Sequence, residues 1–165
     1  MTDDSTNVDE AWAVRLERLR RGVGLRLDAA GKWWQGDEPF LHAGLIAALN
    51  RGIRLHPDSG EPIVYIGDKW CYFESEDLPL VVRGLQVDEH GVWALLNTEA
   101  RVLIPRDGFY EDGDRILIRL DAQRTARLSR TTQSRLADAV DEVEGALVLA
   151  FGANLYPVGP DITSD

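Results

Sequence analysis

An α+β fold, with duplicated β-hairpin-rich units and a few covering helices, is what this sequence predicts. Three observations carry that expectation. One nine-residue pattern occurs twice. Short runs with strand periodicity dominate the chain from Leu80 onward. Three other segments space their apolar residues as helices do.

The repeat comes first. LRLDAAGKW runs from Leu25 to Trp33, and LQVDEHGVW runs from Leu85 to Trp93. Both read L-x-[LV]-D-x-x-G-x-W, at an offset of 60 residues. Every matched position has a structural task. Asp28 and Gly31, like Asp88 and Gly91, have the residue types of a type I turn closed by a residue of positive φ. Trp33 and Trp93 would anchor the return strands against the apolar residues opposite. These residues therefore read as turn and anchor positions of a duplicated hairpin. Trp34 has no counterpart in this alignment, because position 94 is Ala. In a strand it points to the opposite face from Trp33, which makes it a candidate partner contact.

Around the repeats the elements fall in order. Residues 1–8 are polar and acidic and predict a disordered tail. Residues 9–22 predict an amphipathic helix with Trp12, Leu16 and Leu19 on one face and Gly22 and Gly24 as its stop. A first α+β unit spans 23–79. It contains a helix over about residues 41–51, with Leu41, Leu45, Ile46 and Leu49 as its apolar face, and strands at 63–66 and 70–73. A second, β-rich unit spans 80–157. There TTQSRLADAVDEVEG predicts a terminal helix near 132–143, capped by Thr131 or Thr132, with Leu136, Val140 and Val143 as its stripe. ALVLAF predicts a strand or a buried terminal segment, and residues 158–165 a loose tail.

Composition narrows the class of function. The 165 residues carry a net charge of -10, which repels phosphate backbones and disfavours nucleic acid as a partner. The single cysteine, Cys71, excludes an intramolecular disulfide and a multi-cysteine zinc site. It sits in WCYF and reads as a small buried hydrophobe. The acidic start has neither the basic nor the apolar region of a signal peptide, and no apolar run is long enough to span a membrane. A reducing cytoplasm is the expected location.

With the hairpin, helix and acidic break in view, the chain resembles the proteobacterial family called domain of unknown function 1285. The residues that carry the resemblance are GKWWQGDEPF, the helix LIAALNRGI, the Asp58/Gly60 turn, DKW at 68–70 and EDLP at 76–79. Together they cover about residues 25–100. The resemblance implies a small protein with a duplicated β-rich core and a second half loosely similar to pleckstrin-homology-like folds. It also implies a part in signalling, or in binding near the interface between the halves. It names no reaction. The chain departs from the family pattern at Ser75, where a hydrophobic residue is usual.

No catalytic signature stands out. Neither phosphate-binding glycine loop occurs, nor does a G-x-S-x-G elbow. His42, His56 and His90 lack metal-ligand spacing, so neither a metal nor a cofactor is expected. Among the acids, Glu76 and Asp77 are the best binding candidates, with Lys69 as a pairing partner. Arg124, Arg127 and Arg130 lie in a stretch without acids that would hold phosphate or an acidic peptide. The expectation is a non-enzymatic ligand- or protein-binding module of bacterial signalling or regulation. Its partner would be another protein or a small ligand in the groove between the halves, and a homodimer is a further arrangement. Two other classes stay open: a small hydrolase using carboxylates, and an assembly subunit docking through the N-terminal helix.

Overall fold

The structure, a computed structural model, describes residues 3–160. The expectations for residues 1–2 and 161–165 lie outside the described residues. The chain divides into two compact units between Asp77 and Leu78.

The first unit opens with α1 (Asp3–Arg21). It continues with β1 (Leu25–Leu27), β2 (Trp33–Gln35), β3 (Glu38–Pro39), α2 (Ala43–Arg51), β4 (Ile53–Leu55), β5 (Pro62–Ile66) and β6 (Lys69–Ser75). The helix α1 starts at Asp3, not Asp9, so residues 3–8 form its first turns instead of a disordered tail. Acids at a helix N-terminus and arginines in the last turn both suit the helix dipole. The helix α2 starts two residues later than expected. His42 is its N-cap, its ring nitrogen accepting from the Leu45 N–H at 3.1 Å. Leu41 therefore lies outside the helix and is exposed.

The second unit contains β7 (Val81–Asp88), β8 (Gly91–Leu96), β9 (Arg101–Leu103), β10 (Phe109–Asp112), β11 (Arg115–Arg119) and β12 (Thr125–Leu128). It ends with α3 (Arg130–Ala137), β13 (Val140–Val143), β14 (Ala146–Phe151) and β15 (Asn154–Pro157).

The duplication is clearest in the topology. The first unit has a six-stranded sheet in the order β3-β2-β1-β6-β5-β4, and the second has one in the order β10-β11-β12-β7-β8-β9. In each, two three-stranded antiparallel meanders meet at a central parallel pair. That pair is β1 with β6 in one unit and β7 with β12 in the other, the first strand of one meander beside the last strand of the next. The repeated pattern forms the first hairpin of each unit, β1–β2 and β7–β8.

The two hairpins close differently. In the first, the Asp28 N–H donates to the Lys32 carbonyl at 2.9 Å, the Gly31 N–H donates to the Asp28 carbonyl at 3.0 Å, and Gly31 has φ +84°. This is the expected type I turn with a bulge at glycine. In the second, Asp88 pairs directly with Gly91, leaving a two-residue loop. Gly91 has φ +130°, and a Cβ there would lie 2.6 Å from the Tyr156 hydroxyl. Glycine is thus required twice over, by conformation and by space.

The difference shifts the register by one residue. Leu27 pairs with Trp33 and Arg26 with Trp34, whereas Val87 pairs with Val92 and Gln86 with Trp93. Counted from the aspartate, Trp93 occupies the place of Trp34. The alignment that equates Trp33 with Trp93 is corrected here, and Trp34 does have a counterpart. Trp33 corresponds instead to Val92, and both are core residues.

Trp33 is 1% exposed and ties three elements together. It packs on Phe73 of β6 with ring centroids 4.9 Å apart, and its indole N–H donates to Oδ1 of buried Asn50 on α2 at 2.9 Å. Burial of such a ring contributes about 2 to 3 kcal/mol. In the second unit, Asn97 does a similar stitching task. It accepts from the Val81 N–H and donates to the Pro79 carbonyl, which fixes the start of β7.

The expected terminal helix is also corrected. The helix α3 is capped by Ser129, whose hydroxyl accepts from the Thr132 N–H at 3.2 Å, and it ends at Ala137. Val140 and Val143 are not its stripe. They belong to β13, an exposed edge strand of the three-stranded sheet β13-β14-β15. Val140 and Val143 are β-branched and flank two acids, a composition that an exposed strand accommodates as well as a helix does. The chain also stays paired past Pro157. The Val158 N–H donates to the Leu147 carbonyl, and Gly159 bridges to the backbone of β10.

Candidate functional site

The first unit carries a cleft of about 510 Å³ where the C-terminus of α1 meets β1 and β6. Arg21, Leu25, Arg26, Glu61, Tyr72 and Glu74 line it. Its geometry follows from local structure. The Gly36 N–H donates to the Gly24 carbonyl at 3.2 Å, holding the β2–β3 turn against the segment that leaves α1. The parallel pairing of Leu25 with Phe73 and Arg26 with Glu74 sets those side chains beside the opening.

Arg21 organises one wall. Its two terminal nitrogens donate to the two oxygens of Glu61, each at 3.0 Å, and its Nε donates to Glu17 at 3.2 Å. The guanidinium also lies over the Tyr72 ring, 4.1 Å from the centroid. This bidentate partner holds the Glu61 carboxyl below its ordinary value, and the Ser59 hydroxyl adds to the effect. A hydrogen bond to Glu17 pushes the Tyr72 phenol up. Beside this wall His56, Trp70 and Tyr72 form an aromatic cluster, and Arg20 covers Trp70 at 3.9 Å. Residue pairing across a distance is invisible in a single sequence, so Arg21, Glu61 and Tyr72 gave no signal there.

A second arrangement occurs in both units. On the first hairpin the Asp28 carboxylate accepts from the Trp34 indole N–H at 2.9 Å and from the backbone of Ala30 and Lys32, while Arg26 lies over the Trp34 ring at 5.2 Å. Burial raises the Asp28 carboxyl, but those donors and Arg26 outweigh it and hold the group below its ordinary value. On the second hairpin Arg101 reaches from β9. It donates to Asp88 at 3.2 Å and to Gln86 at 3.1 Å, and lies 3.9 Å from the Trp93 centroid. The Trp93 indole holds the Asp88 carboxyl down but does not reach good hydrogen-bond geometry, and its buried nitrogen has no other partner. Both clusters use Asp, Trp and Arg to lock a hairpin. Trp34 is accordingly half-buried and tied down.

The other expected contacts do not converge. Lys69 begins β6 and Glu76 follows its end, about 23 Å away along an extended strand. Glu76 does not pair with Lys69. It accepts from Arg26 at 2.7 Å and from the Ala29 N–H at 3.0 Å, and so clamps the first hairpin. Asp77 offers its carbonyl to the Ser75 hydroxyl. In the arginine stretch, Arg124 pairs with Asp121 at 2.7 Å, and Arg127 donates to the Leu78 carbonyl at 3.1 Å. Arg130 is exposed at the start of α3. Cys71 is half-buried, and burial pushes its thiol up, away from the thiolate form. Among the described residues no cluster of His, Cys, Asp and Glu has a metal-binding arrangement, and no helix is long and apolar enough to cross a membrane.

No family model matches the chain, and no curated protein is similar enough to match. The fold does have solved counterparts. One is a DUF1285 family protein (domain of unknown function 1285) from Silicibacter pomeroyi DSS-3, with a TM-score of 0.60 and 14% identity over 82% of this chain and 79% of that one. Another is a DUF1285 family protein from Shewanella baltica OS155, with a TM-score of 0.54 and 13% identity over 71% of this chain and 92% of that one. The chain thus has a DUF1285-like fold.

Proposed function

We propose that the protein is a non-enzymatic binding module whose first-unit cleft takes a small polar ligand or a polar segment of a partner protein. One observation carries this reading. The cleft, of about 510 Å³, is in the size range of ligand sites, and its wall is already fixed by the Arg21–Glu61–Tyr72 contacts. A pre-formed polar wall recognises a ligand without rearranging, which limits the entropy lost on binding. The acids support the same reading. Carboxylate hydrolysis needs one carboxyl held protonated, by a raised pKa. Asp28, Glu61, Asp88 and Asp121 are all held below their ordinary values, the direction opposite to that of such an acid.

Affinity capture from the native cell with the full chain tests the proposal. Glu74 lines the cleft and is exposed, so Glu74→Arg reverses its charge at the site without disturbing the core. The wild-type chain is expected to retain a ligand that the Glu74→Arg chain releases. A ligand held equally by both would refute the assignment to the cleft.

A further inference from the structure

The charged side chains around the first-unit cleft are matched except for one. Arg21 is taken up by Glu61 and Glu17. Arg26 donates to Glu76 at 2.7 Å and lies over the Trp34 ring. Glu74 lines the cleft, is exposed, and has no hydrogen bond or ion pair among the described residues. Strand geometry sharpens the contrast. Arg26 and Glu74 are partners in the parallel pairing of β1 and β6, so their side chains leave the sheet on the same face. Arg26 is the nearest counter-ion for Glu74 by register, yet it is held by Glu76, whose other oxygen accepts from the Ala29 N–H at 3.0 Å. Drawing Arg26 back to Glu74 would open the clamp on the first hairpin.

Alternation along β6 sets the rest of the site. Phe73 packs inward on Trp33, so Trp70, Tyr72 and Glu74 share the other face. Arg20 and Arg21 of α1 cover the two rings, and Glu74 lies one step beyond that cover. The chemistry of an occupant follows. A carboxylate only accepts hydrogen bonds, and it favours a charged donor. An anion would meet Glu74 with both cleft arginines already matched by acids, in a protein of net charge -10. A quaternary ammonium is held by open aromatic faces, but Arg21 covers the Tyr72 ring and His56 stacks on it at 5.9 Å. We infer that the cleft takes a cation bearing N–H donors, a primary ammonium or a guanidinium, with Glu74 as its counter-ion. This rests on the reading of the cleft as a binding site.

Titration of the isotope-labelled full chain, followed by NMR, tests it. The probes are N-acetyl-lysine amide, N-acetyl-arginine amide and spermidine, with N-acetyl-glutamate amide and choline as controls. The three cations should shift the amides of residues 24–26 and 72–74 saturably, and the shifts should weaken as salt rises. The two amides stand for a basic side chain of a partner protein and spermidine for a free amine, so the tighter binder names the source. Neither control should shift those residues, since one is anionic and the other has no N–H. Glu74→Gln keeps the size and removes the charge. It should weaken the cations about tenfold while the rest of the spectrum shows the fold intact. Cations that bind Glu74→Gln as tightly overturn the inference, as do three cationic probes that leave residues 24–26 and 72–74 unmoved. An anionic probe or choline that binds there as well as the cations overturns the ligand class but keeps the cleft as a site. The cleft itself falls on a different result, a captured ligand held equally by the wild-type and Glu74→Arg chains.

Discussion

Three donors converge on the Asp28 carboxylate: the Trp34 indole and the backbone N–H groups of Ala30 and Lys32. Its lowered pKa fixes the sign of a pH effect. The unfolded chain binds the proton more readily, so the stabilisation is present above the unfolded value of about 3.9 and is lost as pH falls through the lower folded value. Asp28→Asn keeps the shape and removes the ionisation. Denaturant unfolding should show the variant less stable by about 1 kcal/mol at neutral pH. The difference should shrink as pH falls below about 4, and a gap that widens in acid would contradict the role given to the carboxylate. The turn role of Asp28 and Gly31 was legible in the sequence, because turn chemistry is local. The partner of Glu76 was not, because Arg26 lies 50 residues away in the chain and reaches it only through the parallel pairing of β1 and β6.

At the scale of elements, α3 and β13 show where periodicity misleads. Leu136, Val140 and Val143 fit a helical stripe, yet the helix stops at Ala137 and the valines lie on an edge strand. The stripe rule reads spacing alone, and three apolar residues among acids do not separate a helix from a short exposed strand. The consequence is measurable. Leu136 is 1% exposed, so Leu136→Ala should cost about 2 to 5 kcal/mol in denaturant unfolding. Val140→Ala and Val143→Ala, at exposed positions, should each stay within about 0.5 kcal/mol. Similar costs at all three positions would return them to a common helical face. The α1 helix carries the complementary lesson. Its apolar stripe was visible from Trp12, Leu16 and Leu19, but amphipathic spacing does not say which face docks, and the docked face is the arginine side.

At the scale of the molecule, two units repeat one topology, and the nine-residue pattern was its only trace in the sequence. The trace survives where turn geometry restricts the residues allowed. Elsewhere the equivalent strands need only suitable apolar faces, so their residues diverge while the strand order persists. The cleft left no such trace, since its wall draws on α1, the turn before β5, and β6. Hydrogen–deuterium exchange of the full chain, with and without the ligand it captures, tests the binding proposal most directly. Occupancy of the cleft predicts slowed exchange at residues 24–26 and 72–74, with α3 and β13 unchanged. Protection confined to the second unit, with those two segments unaffected, would contradict it.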